Sequence, residues 1–275
     1  QNKIAARIGA EILRKGGNAV DATVAVAIAE TLTLPRAGNI GPPVPPSETT
    51  RVVEFNDLAA LEAALAHGDV ACVLAEPAMT NIGIIHPDPG FHAALRALTR
   101  KHGALLIFDE THTICTGPGG YTRAHGLEPD MLTLGKPLAG GVPAAVYGFS
   151  AEVVQRLEGR IALGDSDTGG IGGTLAGNAF ALAAMRATLG EVLTEAAYAR
   201  TIPLAERFQA GVEGVIAEFQ LPWIVKRLGC RAEYWFRPAA PRNGGEAAAA
   251  ADLELDRFMH LFALNRGILL TPFHN

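Results

Sequence analysis

Glu76, Asp109 and Lys136 each stand at or just beyond the end of a short apolar run. The runs span residues 70–75, 104–108 and 131–134. Continuous apolar runs of this length favour strands that are buried on both faces of a mostly parallel sheet. Because ligands of open α/β sheets bind at the carboxyl ends of the strands, we expect these three side chains to lie at one edge.

A carboxylate and an amine at one edge suit a cofactor that needs both, and pyridoxal 5′-phosphate (PLP) is such a cofactor. Its aldehyde forms an imine with a lysine amine, which a desolvated pocket helps to keep neutral. Its ring nitrogen needs an ionised carboxylate to hold a proton. We predict Lys136 as the Schiff-base lysine and Asp109 as the partner of the ring nitrogen, whereas Glu76 is predicted to hold a loop.

A glycine-rich run at residues 169–174, which ends in Gly173 and Thr174, offers backbone amides and a hydroxyl just before a predicted helix. The start of a helix favours an anion, so this run is a candidate cradle for the cofactor phosphate. It is not a P-loop, because no Lys-Ser or Lys-Thr follows it.

Strands alternate with helices from residue 51 onward, which predicts a three-layer α/β domain. Helices are expected near residues 58–65 and 91–102, and a further strand at residues 144–149. After residue 176 the chain becomes helical, and two short strands and a helix near residues 253–264 follow. We predict an N-terminal helical segment (residues 1–41), a cofactor-binding large domain (42–190) and a partial α+β small domain (191–275).

Five stretches carry a resemblance to a known family. They are Phe55-Asn-Asp-Leu58, Glu76-Pro77, Leu106-Ile-Phe-Asp-Glu110, Pro129-Asp-Met-Leu-Thr-Leu-Gly-Lys136 and Gly172-Gly-Thr-Leu-Ala-Gly-Asn178. In this order they resemble the class III, fold-type I, PLP-dependent aminotransferases, with the glutamate-1-semialdehyde aminomutase branch among them, over about residues 42–275. The resemblance implies the PLP-dependent transferase fold, with a mostly parallel sheet.

The resemblance also implies roles for single residues. Asp109 would pair with the ring nitrogen, and Lys136 would carry the aldimine and shuttle the proton. Gly173 and Thr174 would bind the phosphate of the neighbouring subunit's cofactor, which implies a homodimer with the site at its interface. Thr111 occupies a cofactor-contacting position that is usually Val or Ile. The ring-stacking aromatic residue and the phosphate-binding turn that family members carry upstream are not recognisable here.

Residues 1–41 resemble a different family. The stretch from Gly9 to Ala22, which contains Gly16-Gly-Asn-Ala-Val-Asp21, is similar to the opening of gamma-glutamyltranspeptidases. The segment that carries that family's nucleophilic threonine has no counterpart in this chain. We therefore expect no hydrolase activity from this resemblance.

Composition and net charge indicate which classes of partner the chain binds. A net charge of −5 without a basic cluster gives no electrostatic case for nucleic acid, and no apolar stretch is long enough to predict a membrane span. Three separated cysteines without a CxxC predict neither a metal site nor disulfides and favour a cytoplasmic protein. The predicted partners are a small-molecule amino donor and a carbonyl acceptor. An intramolecular aminomutase and a truncated, non-catalytic protein of the same fold are the alternatives.

Overall fold

A computed structural model of the chain describes residues 49–158 and 176–270. The chain divides into two compact units, Gln1–Val52 with Ala162–Ala176 and Val53–Ile161 with Gly177–Asn275. Every element described below lies in the second unit. The predicted N-terminal helices and the glycine-rich run at residues 169–174 lie outside the described residues, and the predicted domain boundary near residue 190 stays a prediction.

A four-stranded sheet forms the centre of the second unit. Its strands are β1 (Cys72–Ala75), β2 (Leu105–Asp109), β3 (Met131–Leu134) and β4 (Val146–Phe149). Their spatial order is the same as their order in the chain. The first three strands run parallel, and β4 pairs antiparallel with β3. The mixed, mostly parallel sheet with connecting helices agrees with the predicted α/β class.

Eight α-helices and a second, two-stranded sheet are the other main elements of the described residues. The helices are α1 (Leu58–Leu65), α2 (Phe91–His102), α3 (Gly120–Ala124), α4 (Ala151–Glu158), α5 (Ala179–Ala187), α6 (Glu195–Glu218), α7 (Gly244–Ala250) and α8 (Leu253–Leu264). Short 3-10 helices span Thr113–Thr116 and Lys136–Ala139. The strands β5 (Ile224–Leu228) and β6 (Arg231–Trp235) form an antiparallel pair. None of the described helices is both long and apolar enough to cross a bilayer.

Individual capping residues determine where the helices begin and end. Asp57 begins α1 because its carboxylate accepts a hydrogen bond from the Ala60 amide at 2.8 Å. Gly103 ends α2 with a φ of 69°, a left-handed conformation that glycine adopts without the steric cost of a side chain. These predicted helices are confirmed, and so is the helix at residues 253–264.

The core beneath the sheet joins α1 and α2 to β2. Leu65, Leu95, Leu106 and Phe108 are each only 1% exposed. Burial of such side chains stabilises the fold by about 2 kcal/mol each. Because Leu106 and Phe108 alternate along β2, this strand presents one face to the helices.

None of the three parallel strands is buried on both faces as their apolar runs predict, and β1 departs furthest from that prediction. Cys72 is exposed and Leu74 is 65% exposed, so the strand is not buried on both faces. Within the described residues β1 pairs only with β2 and therefore forms an edge of the sheet. An apolar run predicts a strand, but it does not specify which other part of a protein covers it.

An ion pair anchors the amino end of β3. Arg96 of α2 donates to both carboxylate oxygens of Asp130, at 2.6 and 2.8 Å. The Leu106 amide of β2 donates to the same carboxylate at 2.7 Å. Burial works to raise the pKa of Asp130, but the hydrogen bonds from Arg96 and Leu106 outweigh it and hold the pKa below its usual value. Asp130 thus fastens α2, β2 and β3 together.

Candidate active site

The carboxyl ends of the three parallel strands bring the predicted ionisable groups to one edge. Glu76 follows β1, Asp109 ends β2, and Lys136 follows β3 after Gly135. Burial raises the pKa of Glu76 above its usual value, and the hydrogen bond from Thr80 opposes this rise. The charges of Asp109 and Lys136 also act on Glu76, in opposite directions. The side chains are therefore close enough to influence one another, as the spacing of the runs predicts.

Glu76 organises the segment that follows β1. Its carboxylate accepts hydrogen bonds from the hydroxyl of Thr80 and, at 3.3 Å, from the amide of Asn81. Thr80 is fully buried, so this contact holds the segment against the sheet edge. These contacts support the predicted loop-holding role of Glu76.

Asp109 has acceptor capacity to spare. Its Oδ1 atom accepts a hydrogen bond from the Thr111 amide at 2.9 Å, and among the described residues no hydrogen bond ends on Oδ2. The hydroxyl of Thr111 accepts a hydrogen bond from the Gly135 amide at 3.0 Å. Thr111 thus ties the end of β2 to the turn that precedes Lys136. Sequence reasoning did not foresee this use of the side chain.

Lys136 stands in an unusual backbone conformation. Its φ is 45°, in the left-handed region that residues other than Gly, Asn and Asp seldom adopt. Such a conformation is destabilising by about 1 kcal/mol or more and is common at functional sites. The residue is exposed in this structure, which differs from the desolvated pocket expected from the sequence. Its Nζ lies 2.8 Å from Nε2 of His112.

His112 connects this lysine to the second sheet. Its Nδ1 lies 3.0 Å from Nη1 of Arg231, on β6. Arg231 also donates to the backbone oxygen of Thr80 at 2.9 Å and pairs with the carboxylate of Glu233. Burial raises the pKa of Glu233 to about 7, although the charge and hydrogen bond of Arg231 work to lower it. Lys136, His112 and Arg231 therefore form a connected line across the edge.

Sequence reasoning missed Arg231 and Glu233. The available signal was a pair of opposite charges two residues apart in a short, otherwise apolar strand, which places both on one face. Among the described residues, no group of three histidine, cysteine or acidic side chains has the arrangement needed to hold a metal ion.

Two neighbouring polar groups serve the fold. Glu110 is 1% exposed and accepts hydrogen bonds from the amides of Tyr121 and Thr122, at 3.1 and 2.5 Å, at the start of α3. Cys115 donates to the Leu228 carbonyl at 3.1 Å, and burial raises its pKa to about 12. Glu110 therefore has its hydrogen bonds made by the backbone, and the raised pKa makes Cys115 an unreactive thiol.

The described residues pass one test for a PLP site. They place an amine and a carboxylate with a free acceptor oxygen at adjacent strand ends. The cofactor's aldehyde requires the amine, and its protonated ring nitrogen requires the carboxylate. Gly173 and Thr174, the predicted phosphate ligands, lie outside the described residues.

Comparison with known proteins yields relatives along most of the chain. Residues 23–274 match the family model for class-III aminotransferases. A glutamate-1-semialdehyde 2,1-aminomutase of Neisseria meningitidis serogroup C is 35% identical over 250 residues, which cover 88% of this chain and 56% of the relative. The chain therefore spans little more than half the length of the curated relatives it matches. No finding bears on the resemblance of residues 1–41 to gamma-glutamyltranspeptidases.

Solved structures give the same picture. A glutamate-1-semialdehyde aminomutase from Pseudomonas aeruginosa PAO1 is 57% identical, with a TM-score of 0.79 over 82% of this chain and 51% of that one. A variant of that enzyme, solved in complex with PMP, is 54% identical with the same TM-score over 85% and 53% of the two chains. A β-phenylalanine aminotransferase from Variovorax paradoxus is 29% identical, with a TM-score of 0.71 over 82% and 51%. The chain belongs to the class-III aminotransferase family.

Proposed function

We propose that this chain is a PLP-dependent aminotransferase that moves an amino group between an amino acid or amine and a keto acid or aldehyde. The observation that carries the proposal is the placement of Asp109 and Lys136 at the ends of adjacent parallel strands in a class-III family member. The solved relative in complex with PMP, the amino form of PLP, supports the choice of cofactor.

The bound cofactor would supply an aldehyde that condenses with amines and a protonated ring that withdraws electrons. Asp109 would keep the proton on the ring nitrogen through its Oδ2 oxygen, while Oδ1 stays fixed by the Thr111 amide. Thr111 would set the distance between the two strand ends through its hydrogen bond with Gly135.

Lys136 would serve as the attachment point and then as the base. Its Nζ would take the proton from the substrate's α-carbon and return it to the acceptor carbon, which is general acid–base catalysis by one positioned amine. Gly173 and Thr174 are proposed as phosphate ligands that serve a neighbouring subunit. This arrangement would require a homodimer, and sedimentation equilibrium of the purified chain with and without PLP would show whether dimers form.

An intramolecular aminomutase is the second candidate, because the relatives and solved structures of highest similarity reported above carry that name. An aminomutase rearranges a single substrate through many turnovers with only a catalytic amount of cofactor. An aminotransferase supplied with an amino donor alone stops after one equivalent of product. Product yield per site from one substrate, without an added carbonyl acceptor, therefore separates the two activities.

The proposal is tested by cofactor capture. PLP added to the purified chain should produce an imine absorbance band that borohydride abolishes, and mass spectrometry of the reduced protein should locate the adduct at Lys136. Lys136→Ala should lose the band and the adduct. Lys101→Ala is the matched control, because it removes an exposed lysine paired with Glu62 and should change neither.

An adduct that survives in Lys136→Ala would show that the lysine assignment is wrong. Absence of any band in the intact chain would instead favour a non-catalytic member of the fold.

A further inference from the structure

A cleft lies between α6, the β5–β6 pair and α8. Its volume is about 370 Å³, which falls within the range of small-molecule sites. Side chains alternate between the two faces of a strand, so Tyr234 lies on the face of β6 opposite to that of Arg231. Tyr234 lines the cleft, whereas Arg231 contacts His112. The cleft is therefore separate from the sheet edge that carries Lys136.

One end of the cleft is aromatic. At the carboxyl end of α6, Leu221 lines the cleft and donates its amide to the Ile216 carbonyl at 3.0 Å. Trp223 and Tyr234 line the same end, and their rings stack with planes 18° apart and centroids 6.2 Å apart. Exposed ring faces of this kind favour a flat, aromatic occupant.

The other end of the cleft carries a cation. Arg207 lines the cleft nine residues before Ile216 on α6, which is about 14 Å along the helix axis. Its acidic neighbour Glu206 is paired with Arg227 at 3.2 Å. Among the described residues, no hydrogen bond or ion pair involves the Arg207 guanidinium. Its donors are therefore available to an anion.

Acidic side chains lie near the aromatic end. Burial raises the pKa of Tyr234, and the charges of Asp256 and Glu233 raise it further. A carboxylate would be repelled by these acidic groups and attracted by Arg207. The distribution of charge therefore determines which way round an anionic ligand would lie.

We propose that this cleft binds an elongated aromatic carboxylate, with its rings against Trp223 and Tyr234 and its carboxylate at Arg207. The ligand would also cover Phe208 and Val215, which line the cleft and are 43% and 49% exposed. Removal of this apolar surface from water would supply most of the affinity. The site goes beyond the proposed function and does not depend on it.

Gly211 provides a way to close the cleft. It lines the cleft from α6, and a Cβ atom at this position would meet no atom within 4 Å. Gly211→Leu should therefore fill the cleft without strain, and leucine also favours a helix more than glycine does. Gly214 lies on the same helix with equally open space and does not line the cleft. Gly214→Leu is therefore the matched control.

Isothermal titration calorimetry of the full chain with biphenyl-4-carboxylate tests the proposal. We expect a single site with a dissociation constant below about 1 mM. The neutral analogue biphenyl-4-methanol should bind about fivefold more weakly, which is the effect of an exposed ion pair. Arg207→Gln should remove this preference, because it deletes the charge and leaves the apolar walls. Gly211→Leu should abolish binding, and Gly214→Leu should retain the parent affinity.

Absence of binding to the parent chain, equal affinity for the acid and the alcohol, or parent affinity in a folded Gly211→Leu would overturn the proposal. Self-association of the parent that Gly211→Leu abolishes, without binding of the carboxylate, would also overturn it, because a second copy would then occupy the cleft. Sedimentation equilibrium measures this. If Gly211→Leu does not fold, the two ligands compared in the parent and in Arg207→Gln still decide. No readout needs PLP, so failure of the proposed function would leave these results unchanged.

Discussion

Ionic groups lie at both ends of β3, but those at the amino end have more hydrogen-bond partners than those at the carboxyl end. At the amino end, Asp130 is 6% exposed and receives two hydrogen bonds from Arg96 and one from the Leu106 amide. At the carboxyl end, Lys136 is exposed, and Asp109 on the neighbouring strand keeps one oxygen without a described partner. Saturated groups stabilise a fold, whereas groups with spare donor or acceptor capacity can bind something else.

The backbone geometry also differs between the amino and carboxyl ends of β3. The Asp130 amide donates to the Leu106 carbonyl at 2.8 Å, and the Ser150 amide donates to the Asp130 carbonyl at 2.8 Å, so the amino end continues regular strand pairing. At the carboxyl end the chain leaves the sheet through Gly135 and the left-handed Lys136. The two ends of this strand, about 12 Å apart, thus differ in how far their polar groups are already paired.

The largest expected effect is at the carboxyl end. Asp109→Asn should reduce the rate of proton removal from the substrate's α-carbon about 1000-fold in the PLP-loaded chain, because a neutral amide cannot keep the ring nitrogen protonated. Deuterium exchange at that carbon, followed by NMR, measures the rate. The asparagine oxygen still accepts from Thr111, so the melting temperature should stay unchanged.

Asp57→Asn is the matched control, because it makes the same chemical change at the start of α1. It should leave the exchange rate at its parent value. A rate in Asp109→Asn within tenfold of the parent would contradict the ring-nitrogen role.

The next effect is at the amino end. Asp130→Ala should lower the free energy of unfolding by about 4 kcal/mol, because it leaves the partly buried Arg96 guanidinium and the Leu106 amide without their carboxylate. Urea denaturation followed by circular dichroism measures this change. Capture of PLP at Lys136, measured at a temperature where the variant is folded, should be unaffected.

Glu128→Ala provides the comparison for an ion pair on the surface. Its carboxylate lies 3.6 Å from Arg100 and is 79% exposed, so its removal should leave the unfolding curve unchanged within error. Equal losses in the two variants would mean that Asp130 is no more important than a surface charge.

A smaller effect concerns pH. The folded pKa of Glu233, about 7, lies above its ordinary value of 4.5, chiefly because the side chain is buried. The folded chain therefore binds this proton more tightly than the unfolded chain. The associated stability is fully present below pH 4.5 and is lost as the pH rises through 7, by at most about 3 kcal/mol. Burial shifts the pKa of Glu76 in the same direction, so part of the slope belongs to it.

Glu233→Gln should flatten this loss, because glutamine does not titrate. The free energy of unfolding measured at pH 5, 6, 7 and 8 would show the change in slope. Glu213→Gln, on an exposed position of α6, makes the same substitution and should keep the parent slope. If the free energy of unfolding of Glu233→Gln depends on pH as steeply as that of the parent chain, the titrating group is not Glu233.

Local sequence determined most of the secondary structure. Apolar runs correctly predicted the strands of the large sheet, and the helices expected near residues 58–65 and 91–102 are α1 and α2. The order of strand ends also predicted that Glu76, Asp109 and Lys136 share one edge. These inferences succeed because helix caps, strand runs and parallel topology depend on neighbouring residues and on a general rule of α/β sheets.

Tertiary structure alone decided the surroundings of that edge. Arg231 contacts His112 although the two residues are 119 positions apart in the chain, and no local sequence pattern predicts such a contact. The exposure of Leu74 on β1 likewise depends on what covers the strand rather than on the strand's own residues. The sequence by itself determined which side chains could do chemistry. Their partners followed only from packing between distant segments.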